Sequence, residues 1–172
     1  MIETERLILR SITEKDAEAI YAYSKRENIG INAGWKPHES IEETHEIIKQ
    51  VFLNQEFVFG MELKATGKLF GSIGLIPDHK RQNESTRMLG YAISNEHWGH
   101  GYTTEAARAL IHYGFNEWGL TLISAYCYPY NERSKRVLIK SGFEYEGRLR
   151  LAELRYDGEI LDHDCFSITS CE

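Results

Sequence analysis

The predicted order of strands and helices favours an α+β domain with a central mixed sheet. That order is a strand, two helices, three antiparallel strands, a helix, a strand, a helix and two closing strands. It depends on two patterns: short runs rich in β-branched and aromatic residues, and longer runs in which apolar residues recur at helical spacing. Because a length of 172 residues suits one domain with a sizeable core, we expect a single domain over residues 1–172.

The N-terminal part is predicted to contain a strand and two helices. Residues 5–10 form a β-rich run, and Thr13 with Asp16 three residues later marks a helix start. Residues 28–39 include two glycines and a proline, which indicates a loop. Ser40 then caps the second helix. The residues predicted to face inward on this helix are Ile41, Ile47, Ile48 and Val51.

The rest of the chain holds the other strands. Residues 57–63 and 69–76 are β-rich runs joined by a short turn, which predicts a hairpin. Another strand is predicted at residues 86–94, and residues 121–128 form an apolar run typical of a buried strand. The two closing strands are predicted at residues 143–154 and 160–169.

A stretch with two glycines joins the strand at residues 86–94 to a long helix. Gly99 and Gly101 lie between the strand end and the helix start. The first turn of a helix leaves backbone N–H groups unpaired, and glycines let an anion approach them, so this position suits a phosphate or pyrophosphate. Alternatively, the glycines form only a tight turn. The fuller motifs of a P-loop or a dinucleotide site are missing from the sequence. The core-facing residues predicted for this helix are Thr103, Ala106, Ala107, Leu110, Ile111, Gly114 and Trp118.

The residues around these glycines resemble the acetyl-coenzyme A signature of the GNAT superfamily of N-acetyltransferases. The resemblance is carried by Tyr91 and by residues 96–106, which read EHWGHGYTTEA. It is most similar to the branch that acetylates the α-amino groups of ribosomal proteins, the RimJ/RimL group. Thr103 departs from the glycine or alanine of the superfamily pattern, but its N–H remains available. The resemblance implies that the pyrophosphate of coenzyme A is bound by Trp98, Gly99, His100, Gly101, Tyr102, Thr103 and Thr104.

The resemblance covers nearly the whole chain and implies the GNAT fold, a mixed, mostly antiparallel sheet flanked by helices. In that fold two central parallel strands splay apart, and the pantetheine arm of the cofactor pairs with an exposed strand edge, as in β-augmentation. The corresponding strands here are those at residues 86–94 and 121–128. Ala92 and Ile93 are the expected backbone partners of the arm.

A second segment, residues 131–134 (NERS) followed by residues 142–143 (GF), resembles the Asn-x-x-Ser…Gly-Phe segment of the same family. The resemblance implies that Asn131 binds the pantetheine arm and that Ser134 stabilises or protonates the leaving thiolate. Alternatively, Asn131 only caps a helix and Ser134 is a solvated first-turn residue. Many acetyltransferases have a tyrosine acid seven residues after this asparagine. This chain has Leu138 there, which favours Ser134 as the acid.

Nearby basic residues and histidines are considered as contacts to phosphate or to a metal. Arg133, Lys135 and Arg136 are candidates for contact with the 3′-phosphate of coenzyme A, or they are simply solvated. His97 and His100 have no third ligand at a suitable spacing, so we predict no metal.

The acceptor side carries fewer signals. Many relatives have a glutamate two residues before the Gly-Tyr of the strand at residues 86–94, but this chain has Met88. The remaining candidate base is Glu153, in a segment similar to the closing hairpin of the branch; alternatively, it is a surface strand residue. Trp35, in a Trp-Lys-Pro run, matches a feature of the family's substrate-binding half. An α-amino group with a pKa of about 7.7–8 needs less help from a base than a polyamine nitrogen near ~10.

Charge and cysteine content limit the class of protein. The formal net charge of −6 argues against a general nucleic-acid binder and is compatible with a cationic substrate. No apolar run approaches the roughly 20 residues that span a bilayer, and residues 1–6 show no signal-peptide pattern. We therefore expect a cytoplasmic protein that binds neither nucleic acid nor membrane. The scattered cysteines, expected to be free thiols, are Cys127, Cys165 and Cys171.

Together these features predict an N-acetyltransferase that uses acetyl-coenzyme A and no metal. The favoured acceptor is the N-terminal α-amino group of a protein, such as a ribosomal one. The alternatives are a small amine or polyamine as acceptor, or a coenzyme A-binding module without catalytic activity. A homodimer is an expectation from the family alone.

Overall fold

A computed structural model describes residues 1–170, and its centre is one eight-stranded sheet. Along the sheet the strands lie in the order β1-β2-β3-β4-β5-β6-β8-β7, and every neighbouring pair is antiparallel except β5 and β6. This arrangement confirms the predicted mixed, mostly antiparallel sheet. The strands are Ile2–Glu3 (β1), Leu7–Arg10 (β2), Val58–Leu63 (β3), Lys68–Ile76 (β4), Thr86–Ile93 (β5), Leu122–Cys127 (β6), Glu144–Leu154 (β7) and Ile160–Thr169 (β8).

The helices lie before the first hairpin and around β6. A 3₁₀ turn at Glu14–Asp16 leads into the first helix, and a π-helical turn at Ile48–Phe52 continues the third. The five α-helices are Ala17–Ser24 (α1), Glu27–Ala33 (α2), Ile41–Ile47 (α3), Tyr102–Asn116 (α4) and Glu132–Lys140 (α5).

The predicted helix starts in the N-terminal part are confirmed. The Thr13 amide donates to the Asp16 carboxylate at 2.8 Å, which fixes the turn that leads into α1. The Ser40 hydroxyl accepts a hydrogen bond from the Glu43 amide at 3.1 Å, so it satisfies one of the unpaired donors of α3.

The predicted loop at residues 28–39 is wrong in its first half, because α2 occupies Glu27–Ala33. Gly30 lies inside this helix, where a Cβ atom would approach the Trp35 carbonyl oxygen to 2.6 Å. Close packing therefore explains this glycine better than a turn does. Gly34, with φ +83°, takes the left-handed conformation that ends the helix.

One predicted inward position is corrected, and Trp118 packs against the core from beyond the end of its helix. Val51 lies in the π-helical turn and is 51% exposed, because the wider turn rotates it away from the core. The predicted Ile48 is buried, and so is Thr44, which was not predicted to face inward. Trp118 lies beyond the end of α4 and packs on Phe57, with ring centroids 4.4 Å apart. The other predicted core positions of α4 are all buried.

Apolar clusters cover both faces of the sheet and hold the helices in place. Leu110 of α4 and Leu138 of α5 belong to the cluster on one face, which also contains Ile123 of β6. Ile20 of α1 and Ile48 belong to the cluster on the other face. The helices therefore pack on both faces of the sheet, and β5 and β6 are its central strands.

The parallel strands β5 and β6 separate after a short paired stretch. Only Thr86–Met88 of β5 and Leu122–Ser124 of β6 are in register. Beyond these residues the backbone edges of the two strands face a gap, while their outer edges remain paired with β4 and β8. The predicted splay is therefore present, and it opens the centre of the sheet.

Two further sequence expectations concern the cysteines and membrane spans. Cys127 and Cys165 are free thiols, and Cys171 lies outside the described residues. Across residues 1–170, no helix is both long enough and apolar enough to pass through a bilayer.

Candidate active site

A cavity of about 1090 Å³ fills the gap between the separated strands. Its walls include residues 89–93 of β5 and residues 125–128 at the end of β6. Thr103 and Ser134 line the cavity from the helical side, and Glu153 lines it from the closing hairpin. One cavity thus contains residues from the predicted cofactor loop, the predicted acid and the predicted base.

The loop before α4 presents its backbone amides to this cavity. Gly99 and Gly101 adopt φ values of +81° and +80°, which only glycine tolerates readily. Among residues 1–170, no acceptor is found for the amides of residues 99–104, and the first amide of α4 to donate is that of Glu105. Free amides at the positive end of a helix of 15 residues are suited to an anion such as a pyrophosphate.

The side chains of this loop take different directions. Trp98, Tyr102, Thr103 and Thr104 line the cavity with the two glycines, as the sequence predicts. The His100 side chain does not line it: the ring stacks on Tyr102, with centroids 5.5 Å apart, and its Nδ1 lies 2.9 Å from the Trp98 carbonyl oxygen. His100 therefore contributes only its backbone to this loop.

An ion pair that sequence reasoning missed fastens the loop to the N-terminal strands. Arg6 Nε donates to Glu105 at 2.7 Å, and another nitrogen of the same guanidinium donates to the His100 carbonyl at 3.0 Å. The Thr4 hydroxyl also donates to Glu105, at 2.6 Å. Burial by itself would raise the pKa of Glu105, but the hydrogen bonds from Thr4 and Arg6 outweigh burial and lower it. The pair keeps the glycine loop at the mouth of the cavity.

Ser134 lies in the first turn of α5, and its hydroxyl is 2.8 Å from the hydroxyl of Tyr91 on β5. Its amide donates to Asn131 Oδ1 at 3.2 Å. Asn131 therefore caps the helix, which is the alternative role considered for it. Burial raises the pKa of Tyr91, so its hydroxyl stays protonated. Leu138 is buried in the core, 1% exposed.

The basic residues of α5 separate into two groups. Arg133 and Arg136 line the cavity, and the Arg133 guanidinium lies 3.9 Å from the centre of the Trp98 ring, a cation–π contact. Lys135 points elsewhere and pairs with Asp164 at 3.1 Å. Two of the three predicted phosphate contacts therefore face the cavity.

Ala92 and Ile93 form the last part of β5 and line the cavity. One edge of β5 is paired with β4 at this level: Ala92 lies opposite Ser72, and Ile93 lies opposite Gly71. The edge towards β6 has no partner strand at this level, so it is free to pair with an extended ligand.

Glu153 points into the cavity, not towards solvent on the outside of the hairpin. Its Oε1 accepts a hydrogen bond from the Tyr128 hydroxyl at 3.1 Å, and its Oε2 lies 2.7 Å from His163 Nε2. Burial lowers the pKa of His163, and Glu153 offsets only part of this effect. The histidine is therefore neutral near pH 7 and donates from Nε2. No local sequence signal pointed to His163 or Tyr128.

The end of α2 closes the same side of the cavity. A Cβ atom on Gly34 would lie 2.8 Å from the Tyr128 hydroxyl and 3.0 Å from Glu153 Oε1, so this glycine permits the helix to approach them. Trp35 follows and lines the cavity. Its Nε1 is buried and has no acceptor among residues 1–170.

No cluster of three or more histidine, cysteine, aspartate or glutamate side chains suited to a metal ion is found within residues 1–170. Of the two histidines considered for metal binding, His97 stacks on Phe70, with ring centroids 4.6 Å apart, and His100 stacks on Tyr102.

The splayed strands and the free amides at the start of α4 define the fold of a coenzyme A-dependent acyltransferase. The family model for the acetyltransferase (GNAT) domain matches residues 6–144, most of the chain. The chain therefore belongs to the GNAT acetyltransferase family.

Three similar proteins are all named N-acetyltransferases. An uncharacterized N-acetyltransferase of Bacillus subtilis, YoaA, is 38% identical over 98% of this chain and 96% of its own length. The [ribosomal protein uS5]-alanine N-acetyltransferase of Escherichia coli is 27% identical over 98% of this chain and 90% of its own. The structure of Vibrio cholerae spermidine N-acetyltransferase in complex with CoA and spermine superposes with a TM-score of 0.80 at 23% identity, covering 96% of both chains. The chain is an N-acetyltransferase, and the two proteins whose names give an acceptor, the E. coli and the V. cholerae enzymes, differ in that acceptor.

Proposed function

We propose that residues 1–172 form a single catalytic domain that transfers the acetyl group of acetyl-coenzyme A to the N-terminal α-amino group of a protein. The observation that carries this proposal is that Ser134 and Glu153 line one cavity together with the free amides of residues 99–104. A proton donor and a proton acceptor thus face the two ends of one reaction path.

The cofactor end of the cavity holds an anion and an extended chain. The amides of residues 99–104 bind the pyrophosphate, and the unpaired edge at Ala92 and Ile93 binds the pantetheine arm. Acetyl-coenzyme A supplies the acetyl group as a thioester. The Ser134 hydroxyl, in contact with Tyr91, donates a proton at the sulfur.

The acceptor end prepares an amine for attack. Glu153 accepts the proton that the amine loses, directly or through water, while Tyr128 and His163 hold its two oxygens in place. Because an α-amino group has a pKa of about 7.7–8, much of it is already neutral near pH 7.5. Such an amine needs less help from a base than a polyamine nitrogen near ~10.

Two further features support a protein N-terminus. The E. coli relative, 27% identical over nearly the whole chain, is named for alanine acetylation of a ribosomal protein. Trp35 lies at the acceptor end, where its ring would pack on the first residues of a peptide. Spermidine is the competing acceptor; the likeness to its acetyltransferase, at 23% identity, supports the fold alone. A cytoplasmic location and a homodimer remain predictions.

The test is an acceptor comparison with the purified chain and acetyl-coenzyme A. We expect thiol release with ribosomal proteins that have free N-termini, and mass spectrometry should place the acetyl group on the α-amino nitrogen. A higher kcat/KM for spermidine would favour the polyamine alternative. Absence of thiol release with every amine, despite coenzyme A binding, would indicate a catalytically silent module.

A further inference from the structure

The cavity contains a second tyrosine–carboxylate pair that sequence reasoning did not single out. Tyr126 precedes Tyr128 by two residues on β6, and its hydroxyl donates to Asp78 Oδ2 at 2.8 Å. Asp78 comes from the connection between β4 and β5, whereas Glu153, the partner of Tyr128, comes from β7. The His163 ring lies beside both tyrosines, with ring centroids 6.0 Å and 5.6 Å away.

Asp78 is held in place by several hydrogen-bond donors besides this hydroxyl. Its side chain is fully buried, and it also accepts hydrogen bonds from the Ser124 hydroxyl at 2.6 Å and from the Lys80 amide at 2.9 Å. Arg81 Nε lies 3.4 Å away. Burial alone would raise the pKa of Asp78, but the donors around it outweigh burial and lower it, so the group is a carboxylate at neutral pH.

The Tyr126 hydroxyl therefore has its proton committed to Asp78. Burial and the neighbouring carboxylate raise the pKa of Tyr126 to about 12, so the phenol keeps that proton. What remains available on its oxygen is a lone pair, which can accept a hydrogen bond but not donate one. Tyr126 is partly exposed and lines the cavity, whereas Tyr128 is only 4% exposed.

We propose that Tyr126, oriented by Asp78, binds the acceptor amine by accepting one of its N–H groups while Glu153 receives its proton. The inference rests on the proposed transfer to an amine. Glu153 is the carboxylate that lines this part of the cavity, and the fully buried Asp78 acts there only through the Tyr126 hydroxyl. The cations nearby are Lys80, over the Tyr126 ring at 4.7 Å, and Arg81. An acceptor-only oxygen backed by a carboxylate favours a donor-rich amine over an alcohol or a thiol.

The test is Tyr126→Phe, which keeps the ring and removes the oxygen. We expect the KM for the acceptor amine to rise about tenfold, as the loss of one hydrogen bond predicts. The kcat at saturating amine and the affinity for coenzyme A should stay near wild type, while the melting temperature should fall by a few degrees, because the buried Asp78 loses one of its donors. The matched control is Tyr145→Phe on β7: Tyr145 is 57% exposed, packs edge-on against Phe166 and lies outside the cavity. It should change none of these quantities.

A second variant, Asp78→Asn, separates orientation from structure. The amide can still accept from the Lys80 amide, so the turn is kept, but Tyr126 loses its charged partner. We expect a raised acceptor KM that does not rise further in the double variant with Tyr126→Phe. An acceptor KM unchanged in Tyr126→Phe, in an enzyme that acetylates amines, would overturn the inference alone. Failure of the wild-type chain to acetylate any amine would overturn the proposed function as well.

Discussion

Glu153 and His163 lie opposite different residues in the β7–β8 ladder, yet their side chains meet at 2.7 Å. His163 is paired with Leu149, and Glu153 with Leu161, because β7 carries a bulge between Leu149 and Glu153. Within this bulge Leu151 has a φ of +50°. Bulges bend a strand and redirect its side chains. Here the bend turns the carboxylate of an exposed edge strand into the cavity.

Replacing Glu153 with glutamine tests whether this carboxylate is the base. The glutamine side chain has nearly the same size but cannot take a proton, so Glu153→Gln should lower kcat by roughly 100-fold. Coenzyme A affinity should not change, because the hydrogen-bond partners of Glu153 are Tyr128 and His163 and not residues of the glycine loop. Steady-state rates across pH, with coenzyme A binding by calorimetry, measure both.

The control for this substitution is Glu144→Gln, on the exposed part of the same strand and outside the cavity. It removes the same charge and should leave kcat near wild type. A Glu153→Gln enzyme with an unchanged rate at every pH would show that another group accepts the proton.

Ser134→Ala removes the hydroxyl that contacts Tyr91 at 2.8 Å. If Ser134 protonates the leaving sulfur, kcat should fall roughly 10- to 100-fold while the Kd of coenzyme A changes little. The asparagine cap is kept, because Asn131 accepts from the backbone amide of residue 134. Thiol release in a stopped-flow assay gives the rate. A full wild-type rate would return Ser134 to the reading of a first-turn residue without catalytic role.

Gly101→Ala tests the glycine loop against a matched strain control. Gly101 and Gly67 both have positive φ, +80° and +64°, and neither has an atom within 3.4 Å of an added Cβ. Each alanine should cost about 1–2 kcal/mol of conformational strain. Both variants should therefore lose a few degrees of melting temperature. Only Gly101→Ala should weaken coenzyme A binding, roughly tenfold; equal affinities in the two variants would contradict an anion site at the start of α4.

Gly90→Val tests whether the gap between β5 and β6 is the reaction path. A Cβ atom at this position meets nothing within 4 Å, and Gly90 lines the cavity, so valine should fold as a strand residue and fill part of the path. We expect at least a tenfold loss of acetyl transfer with a melting temperature close to wild type. Gly90→Ala should give a smaller loss. Full activity in the valine variant would move the reaction out of this gap.

The buried histidines predict how stability depends on pH. Burial is the main cause that lowers the pKa values of His38, His97 and His163 in the folded state. Below the ordinary value of about 6.5, the unfolded chain binds protons that these folded histidines do not, so stability falls as pH falls. The melting temperature should therefore decrease between pH 7.5 and pH 5, and His163→Gln should make this decrease smaller. An unchanged slope in that variant would show that His163 is protonated in the fold.

Sequence patterns predicted those features that depend only on residues close together in the chain. The face of α4 was predictable because apolar residues recur with the period of a helix. The free amides at the start of α4 were predictable because the first turn of a helix leaves its amides without intrahelical acceptors. The loop prediction was wrong for residues 28–33 because it treated Gly30 as a turn residue. Gly30 is explained by its approach to the Trp35 carbonyl oxygen, a packing contact that turn propensity does not describe.

The contacts that complete the site join residues far apart in the chain. Arg6 and Glu105 are separated by 99 positions, and Tyr126 and Asp78 by 48. Neither pair has a spacing that a helix or a strand would impose, so nothing in the sequence marks them as partners. Glu153 and His163 are only 10 positions apart, but their contact depends on the bulge in β7.

By itself the sequence determined the class of fold and the glycine turn before α4, and it singled out Ser134 and Glu153, which line one cavity. Only the tertiary structure decided which side chains hold those two residues, and where the strands separate. The physical reason is that periodicity and capping are properties of neighbouring residues. Hydrogen-bond partners, burial and strand register are set when distant segments pack against one another.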